Sequence, residues 1–245
     1  MRILIIRHAD PDYSIDGLTP TGKKEAKALG EYLTKQGKID KIYCSPLGRA
    51  RHTMEAYLEA SKTEVEPIIK PWLHEFDALV PHGRTKIAWD LLPMELEEGG
   101  DACFNLESWE KAITYYKNSV DLHDKYQAVC QGLEDLLEEN GYKKEGHHYK
   151  VLKPENDTTI ALFCHFGVEA VLLSYLLNAS PVIFWQGACA VPSSVTSLYS
   201  EERREGIASF RMNAFGDTSH LALAGLEPSF AARFSETFLD PRRHD

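Results

Sequence analysis

Cysteine is sparse and unpaired in this chain: Cys44, Cys103, Cys130, Cys164 and Cys189 are scattered, odd in number and never spaced as C-x-x-C. That pattern argues against a disulfide framework and a zinc knuckle, and it suits free thiols in a reducing compartment. Positive charge is in deficit, with 27 Lys and Arg against 37 Asp and Glu, a formal net charge of -10 and a pI near 5.5. No basic face for nucleic acid or for an anionic membrane is therefore expected. Long apolar runs are missing as well. The most apolar stretch, 161–185, is interrupted by His165, Glu169, Asn178 and Pro181, short of the ~20 uninterrupted residues a spanning helix needs. Ile3, Leu4, Ile5 and Ile6 are too short a run for a signal-peptide core and have no small-residue cleavage site behind them, so a cytoplasmic location is expected. There is no G-x-x-x-x-G-K-[ST] loop, which removes the phosphate cradle of ATP hydrolysis, and no H-E-x-x-H pair. His147, His148 and His220 have no spaced partner and read as surface histidines; neither a metal nor a cofactor is expected.

What the chain has is a sizeable apolar fraction, 43% of 245 residues, enough for one globular unit over 1–245 carrying an insertion. Arg2 to Ile6 reads as a parallel strand buried on both faces. Thr19, Pro20 and Thr21 offer a cap and a first-turn proline, and Ala26, Leu29, Tyr32 and Leu33 then recur at helical spacing until Gly37. A second strand over 41–44, a helix from Ser45 and Pro46, and a third strand over 65–69 continue the alternation. Strands alternating with helices predict βαβ units, and hence an α/β three-layer αβα sandwich around a mostly parallel sheet. Between 76 and 157 the alternation lapses into an acidic stretch and a helical pattern over 106–139, read as a helical insertion or cap. The rhythm resumes with a strand over 159–164 and a helix over 167–177, then a strand pair over 194–199 and 208–214 around a polar turn.

Ligands of open α/β sheets sit beyond the carboxyl ends of the strands. After the first strand come Arg7 and His8, after the second Ser45 and Arg49, after the third Glu75, and after the fourth His165. These residue types suit phosphoryl transfer. The transferring group spreads negative charge over its equatorial oxygens, so catalysis there is mainly positioning and electrostatic stabilisation by preorganised donors. Arginine donates bidentate hydrogen bonds to phosphate and stays protonated. A neutral imidazole whose other nitrogen is held can attack phosphorus, and a carboxyl with a raised pKa can protonate the leaving alkoxide.

The same residues carry a family resemblance. Ile5-Ile6-Arg7-His8-Ala9-Asp10 resembles the R-H-G-E opening of the histidine phosphatase superfamily, the phosphoglycerate-mutase-like clan. Leu18-Thr19-Pro20-Thr21-Gly22-Lys23-Lys24-Glu25-Ala26 resembles its L-T-x-x-G-x-x-Q-A helix start, and Ser45-Pro46-Leu47-Gly48-Arg49-Ala50-Arg51-His52-Thr53 its S-x-L-x-R-A-x-x-T stretch. Leu73-His74-Glu75 resembles the L-x-E acid, and Phe163-Cys164-His165-Phe166-Gly167 the second histidine and its following glycines. The resemblance implies metal-independent hydrolysis of a small phosphorylated substrate through a phosphohistidine. His8 would be the nucleophile, Arg7, Arg49 and His165 the phosphate ligands, and Glu75 the proton donor, with homo-oligomers left open. Ala9-Asp10 stands where the family has Gly-Glu, and Phe166 where a glycine commonly follows the histidine. Pro11-Asp12-Tyr13 departs from the S-x-W-N continuation of glycolytic mutases.

Rival readings are phosphoglycerate-mutase-type phosphoryl transfer and a non-catalytic phospholigand binder on the same fold. Two other phosphatase signatures are nearly matched. Cys44 and Arg49 are spaced C-x4-R rather than the C-x5-R of cysteine phosphatases. Asp10 and Asp12 mimic the D-x-D of haloacid-dehalogenase-like enzymes, but Arg7, His8 and Ala9 separate them from the strand. Arg51 and His52 read as solvated or packing residues, and His82, Arg84 and Lys86 as an exposed polar loop.

Overall fold

The computed structural model describes residues 1–80 and 86–229. His82 and Arg84 lie outside the described residues, as does the chain beyond Ser229. The elements that matter below are β1 (Arg2–Arg7), α1 (Pro20–Lys35), β2 (Lys41–Cys44), α2 (Gly48–Ser61), β3 (Ile68–Ile69), α3 (Leu122–Glu139), β4 (Tyr142–Glu145), β5 (His148–Val151), β6 (Thr159–Cys164), α4 (Phe166–Leu177), α5 (Pro181–Gly187), β7 (Val195–Arg204) and β8 (Ile207–Asp217).

Successive strand side chains point to opposite faces, and in β1 both faces are apolar. Ile3 and Ile5 enter the core beneath α3 and α4, with Leu133, Leu136, Val168 and Leu172. Leu4 and Ile6 enter the opposite core beneath α1 and α2, with Leu29, Leu33, Ala50 and Met54. Helices thus cover both faces of the sheet, in an α/β sandwich of three layers.

The eight strands are ordered β3-β2-β6-β1-β7-β8-β5-β4. The pairs β3/β2, β2/β6 and β6/β1 are parallel, whereas β1/β7, β7/β8, β8/β5 and β5/β4 are antiparallel. The sheet is therefore mixed, with a parallel half and an antiparallel half rather than a mostly parallel array. Two hairpins cause this. They turn at Gly146 (φ 62°) and Gly206 (φ 77°), left-handed positions that glycine takes without penalty. The first hairpin, β4–β5, falls within 76–157, so that segment is not helical throughout: its last residues add two strands to the sheet edge.

Other boundaries moved for identifiable reasons. The helical pattern over 106–139 is broken into a 3₁₀ turn at Trp109–Lys111, a short helix at Thr114–Lys117 and then α3. The Ser119 hydroxyl accepts the Leu122 amide at the restart, 3.2 Å away. Strand β3 is only two residues long, because Ile68 and Ile69 alone pair with Tyr43 and Cys44 at the sheet edge. Helix α1 starts as its sequence implies, with the Thr19 side chain accepting the Gly22 amide and Pro20 in the first turn. Helix α2 begins at Gly48 rather than at Ser45, and its cap comes from a distant carboxylate, described below.

The first part of the insertion builds an aromatic cluster against α5. Trp109 packs edge-on to Trp185, Tyr116 and Tyr126 with centroids 5.0–5.6 Å apart, and Phe76 stacks on Trp185 at 5.0 Å. Trp185 in turn donates its indole N–H to the Gly167 carbonyl, 3.0 Å away. This cluster seats the first turn of α4 and the loop before Phe76. Among the described residues no helix is long and apolar enough to cross a membrane.

Candidate active site

Strand β1 ends on Arg7, and the chain continues into His8, whose backbone is pinned from two sides. Its amide donates to the Cys164 carbonyl at the end of β6, and its carbonyl accepts the Ser193 amide, both at 3.0 Å. The ring is buried (1% exposed). Its Nδ1 lies 2.8 Å from the Ala9 carbonyl. A carbonyl oxygen only accepts, so Nδ1 carries the proton and Nε2 keeps its lone pair. Burial, with the positive charges of Arg7 and Arg49, holds the imidazole pKa well below its ordinary value even against the Ala9 bond, so the ring is neutral.

His165 arrives from the end of β6, where it is the residue before α4. Its ring centroid is 5.0 Å from that of His8, and its Nε2 is 2.7 Å from the Ser45 hydroxyl beyond β2. Burial first, then His8 and Arg49, push its pKa well down too. Its Nδ1 is buried without a hydrogen-bond partner.

The two arginines are fixed differently. Arg7 donates Nη1 to the Ala190 carbonyl at 2.5 Å and lies 5.6 Å above the Phe166 ring. Phe166 thus supplies an aromatic platform for the guanidinium. Arg49, in the first turn of α2, donates Nη1 to Asp16 at 2.8 Å and lies 5.3 Å from the Tyr13 ring centre. In both arginines Nε is buried and has no partner.

Glu75 approaches from the loop after β3. Its Oε1 accepts the Phe76 amide at 2.7 Å and the Val168 amide at 3.2 Å, which holds it at the start of α4. Loss of hydration raises its pKa above the ordinary carboxylate value, although Arg7 and these amides pull the other way. Gly167 makes the approach feasible, since a Cβ there would lie 2.6 Å from Trp89 Nε1 and 2.7 Å from Glu75 Oε1. The structure thus brings Arg7, His8, Arg49, Glu75 and His165 to one place at the carboxyl ends of the parallel strands.

The neighbouring aspartates have local duties. Asp10 accepts the Thr19 hydroxyl at 2.5 Å, and its amide donates to Glu25. Asp12 accepts the amide and hydroxyl of Ser14. Three further residues also belong here: Thr53, the last residue of the Ser45–Thr53 stretch, and two that no motif marked, Asp16 and Glu169. Thr53 accepts the Ala9 amide at 3.0 Å, and Asp16 holds Arg49. Glu169, one turn after His165, is buried, and its pKa is pushed up to about 7, chiefly by burial and against the pull of the Thr196 hydroxyl beside it. Helical spacing from His165 is the one signal that could have marked Glu169; nothing local marks Asp16. His220 corrects the surface reading. It is buried, its Nε2 is 2.9 Å from the Ser193 hydroxyl, and burial lowers its pKa to about 4. It braces the loop that holds the His8 carbonyl. His147 and His148 are exposed, as are Arg51 and His52.

Residues 3–213 match the histidine phosphatase superfamily (branch 1), and the chain belongs to that family. Among curated relatives it is 28% identical over 141 residues to a 2,3-bisphosphoglycerate-dependent phosphoglycerate mutase of Treponema denticola, covering 46% of this chain and 57% of the mutase. The matched part thus spans little more than half that relative's length. It is 26% identical over 235 residues to a probable phosphatase of Schizosaccharomyces pombe, covering 90% of this chain and 95% of the relative. Among solved structures, a phosphoserine phosphatase mutant from Entamoeba histolytica in complex with phosphoserine superposes with a TM-score of 0.56 at 19% identity, covering 90% of this chain and 98% of that one. At that identity the likeness speaks for the fold.

Proposed function

We propose that this chain hydrolyses small phosphomonoesters through a phosphohistidine on His8, without a metal. The observation that carries this reading is the state of His8: a buried neutral imidazole with Nδ1–H committed to a carbonyl, 5.0 Å from a second imidazole and beside two guanidinium groups. Nε2 attacks phosphorus as the P–O bond to the alcohol breaks, and the alkoxide takes the proton held by Glu75. Arg7, Arg49 and His165 neutralise the charge on the phosphoryl oxygens. Water then attacks the phosphohistidine, Glu75 accepts its proton, and the P–N bond breaks to release inorganic phosphate. A raised carboxyl pKa suits the first step, and the bound anion would raise it further. Asp10 and Asp12 are occupied in the loop, which speaks against a haloacid-dehalogenase-type aspartate nucleophile.

A mutase would share the phosphohistidine and pass the group to a second phosphorylated molecule instead of water. A panel of phosphomonoesters, run with and without 2,3-bisphosphoglycerate, separates the two. The expected result is release of inorganic phosphate from several monoesters, unaffected by bisphosphoglycerate and by EDTA. Transfer to monophosphoglycerate without phosphate release would overturn the hydrolase reading, and EDTA inhibition reversed by magnesium would overturn the metal-independent one.

A further inference from the structure

Asp16 lies in the loop joining two short paired segments, Pro11–Asp12 and Gly17–Leu18. Its backbone is left-handed, φ 44°, a conformation that a residue with a Cβ holds where surrounding contacts impose it. The imposing contacts are all at the start of α2. Oδ2 accepts the Gly48 amide at 2.7 Å, and Oδ1 accepts Arg49 Nη1 at 2.8 Å. The Asp16 carbonyl packs so closely on Gly48 that a Cβ there would collide with it. The Asp16 side chain is 45% exposed, against 11% for that of Arg49, so the carboxylate sits between solvent and the arginine.

A helix N-terminal amide and a guanidinium are the donors that bind phosphoryl oxygens, and a carboxylate presents the same paired acceptors on a smaller frame. Arg49 is itself 9% exposed, with Nε turned into the protein and unpartnered. We propose that Asp16 is an affinity-setting residue, whose carboxylate occupies the Gly48 and Arg49 donors that a substrate's phosphoryl group takes over. The inference rests on the phosphoryl site proposed above. Because the outgoing carboxylate and the incoming phosphate carry like charge, Asp16 weakens binding of every phosphorylated ligand and hastens release of inorganic phosphate.

Asp16→Asn tests this. The amide oxygen can still accept from Gly48 or Arg49, but the charge is gone. Inhibition by inorganic phosphate should tighten by about two- to fivefold, the scale of a partly exposed ion pair, and KM for p-nitrophenyl phosphate should fall with it. The effect should shrink as salt is added. Asp16→Ala, checked for an unchanged melting curve, should move in the same direction. If Asp16 only positions Arg49, both constants rise in both variants, and unchanged constants are equally fatal to the proposal. Wild-type protein that neither hydrolyses p-nitrophenyl phosphate nor binds phosphate would fell the phosphatase reading and this one together. Wild-type binding without tightening in Asp16→Asn fells this one alone.

Discussion

The two halves of the sheet treat their buried polar groups in opposite ways. Along the antiparallel strands buried hydroxyls find partners: Ser197 donates to Asn213 Oδ1 at 2.5 Å, and the Tyr142 and Ser200 hydroxyls meet at 2.9 Å, with Ser194 Oγ, just before β7, an exception. At the carboxyl ends of the parallel half, Arg7 Nε, Arg49 Nε and His165 Nδ1 are buried without partners, close to a neutral His8. Folded chains satisfy nearly all buried polar atoms, and this cluster of unsatisfied ones beside His8 supports the phosphoryl site proposed above. The antiparallel half and the aromatic cluster around Trp185 hold that edge in place. On the function proposed above, chemistry and support fall to different parts of the molecule.

The sharpest way to break this division is His8→Ala. Turnover of p-nitrophenyl phosphate should fall by at least about a thousand-fold, as for loss of a covalent nucleophile, while the melting temperature stays near wild type. Near-normal turnover in a folded variant would take the chemistry away from the parallel half. Glu75→Gln comes next. In kcat/KM, which reports the phosphorylation step and not the later hydrolysis, substrates with poor leaving groups should slow by about a hundred-fold or more and p-nitrophenyl phosphate far less, because an activated alcohol needs little protonation. The pH profile follows from the same two groups. The rate needs neutral His8, whose pKa is well below 6.5, and protonated Glu75, whose pKa is raised above 4.5. Activity on poor leaving groups should therefore persist below pH 6.5 and decline as pH rises through the Glu75 pKa. Glu75→Gln should abolish that decline, and an equal fall in kcat/KM for both substrate types would count against the acid role. Trp109→Ala probes the supporting side. Removing a ring that is 1% exposed should cost roughly 3–5 kcal/mol, read as an earlier denaturation midpoint, with kcat of the folded fraction changed by less than about threefold. A large kcat loss without destabilisation would erase the contrast.

Much of the parallel half was legible in the sequence because its determinants are local. An apolar run ending in Arg7-His8 and the Thr19-Pro20 cap both act within a few residues of themselves. The antiparallel half was less so. The β4–β5 hairpin lies in a stretch whose composition reads as polar helix, and it becomes strand by pairing with β8, nearly 60 residues on. His220 escapes notice for the same reason, since its burial depends on Ser193 and Tyr32 rather than on its own neighbours. The cap of α2 is a carboxylate 32 residues earlier, which no reading of helix-start signals would supply.

The most direct test is to mix Glu75→Gln with a phosphorus-labelled aryl phosphate, quench parallel samples in alkali and in cold acid within milliseconds to seconds, and map the label. An activated leaving group allows the first step, and removing the general base slows the second, so a phosphoenzyme should accumulate. The account predicts an acid-labile phosphate on His8 that is lost when His8 is also replaced. Label on an aspartate, or on His165 with His8 unmodified, would contradict it.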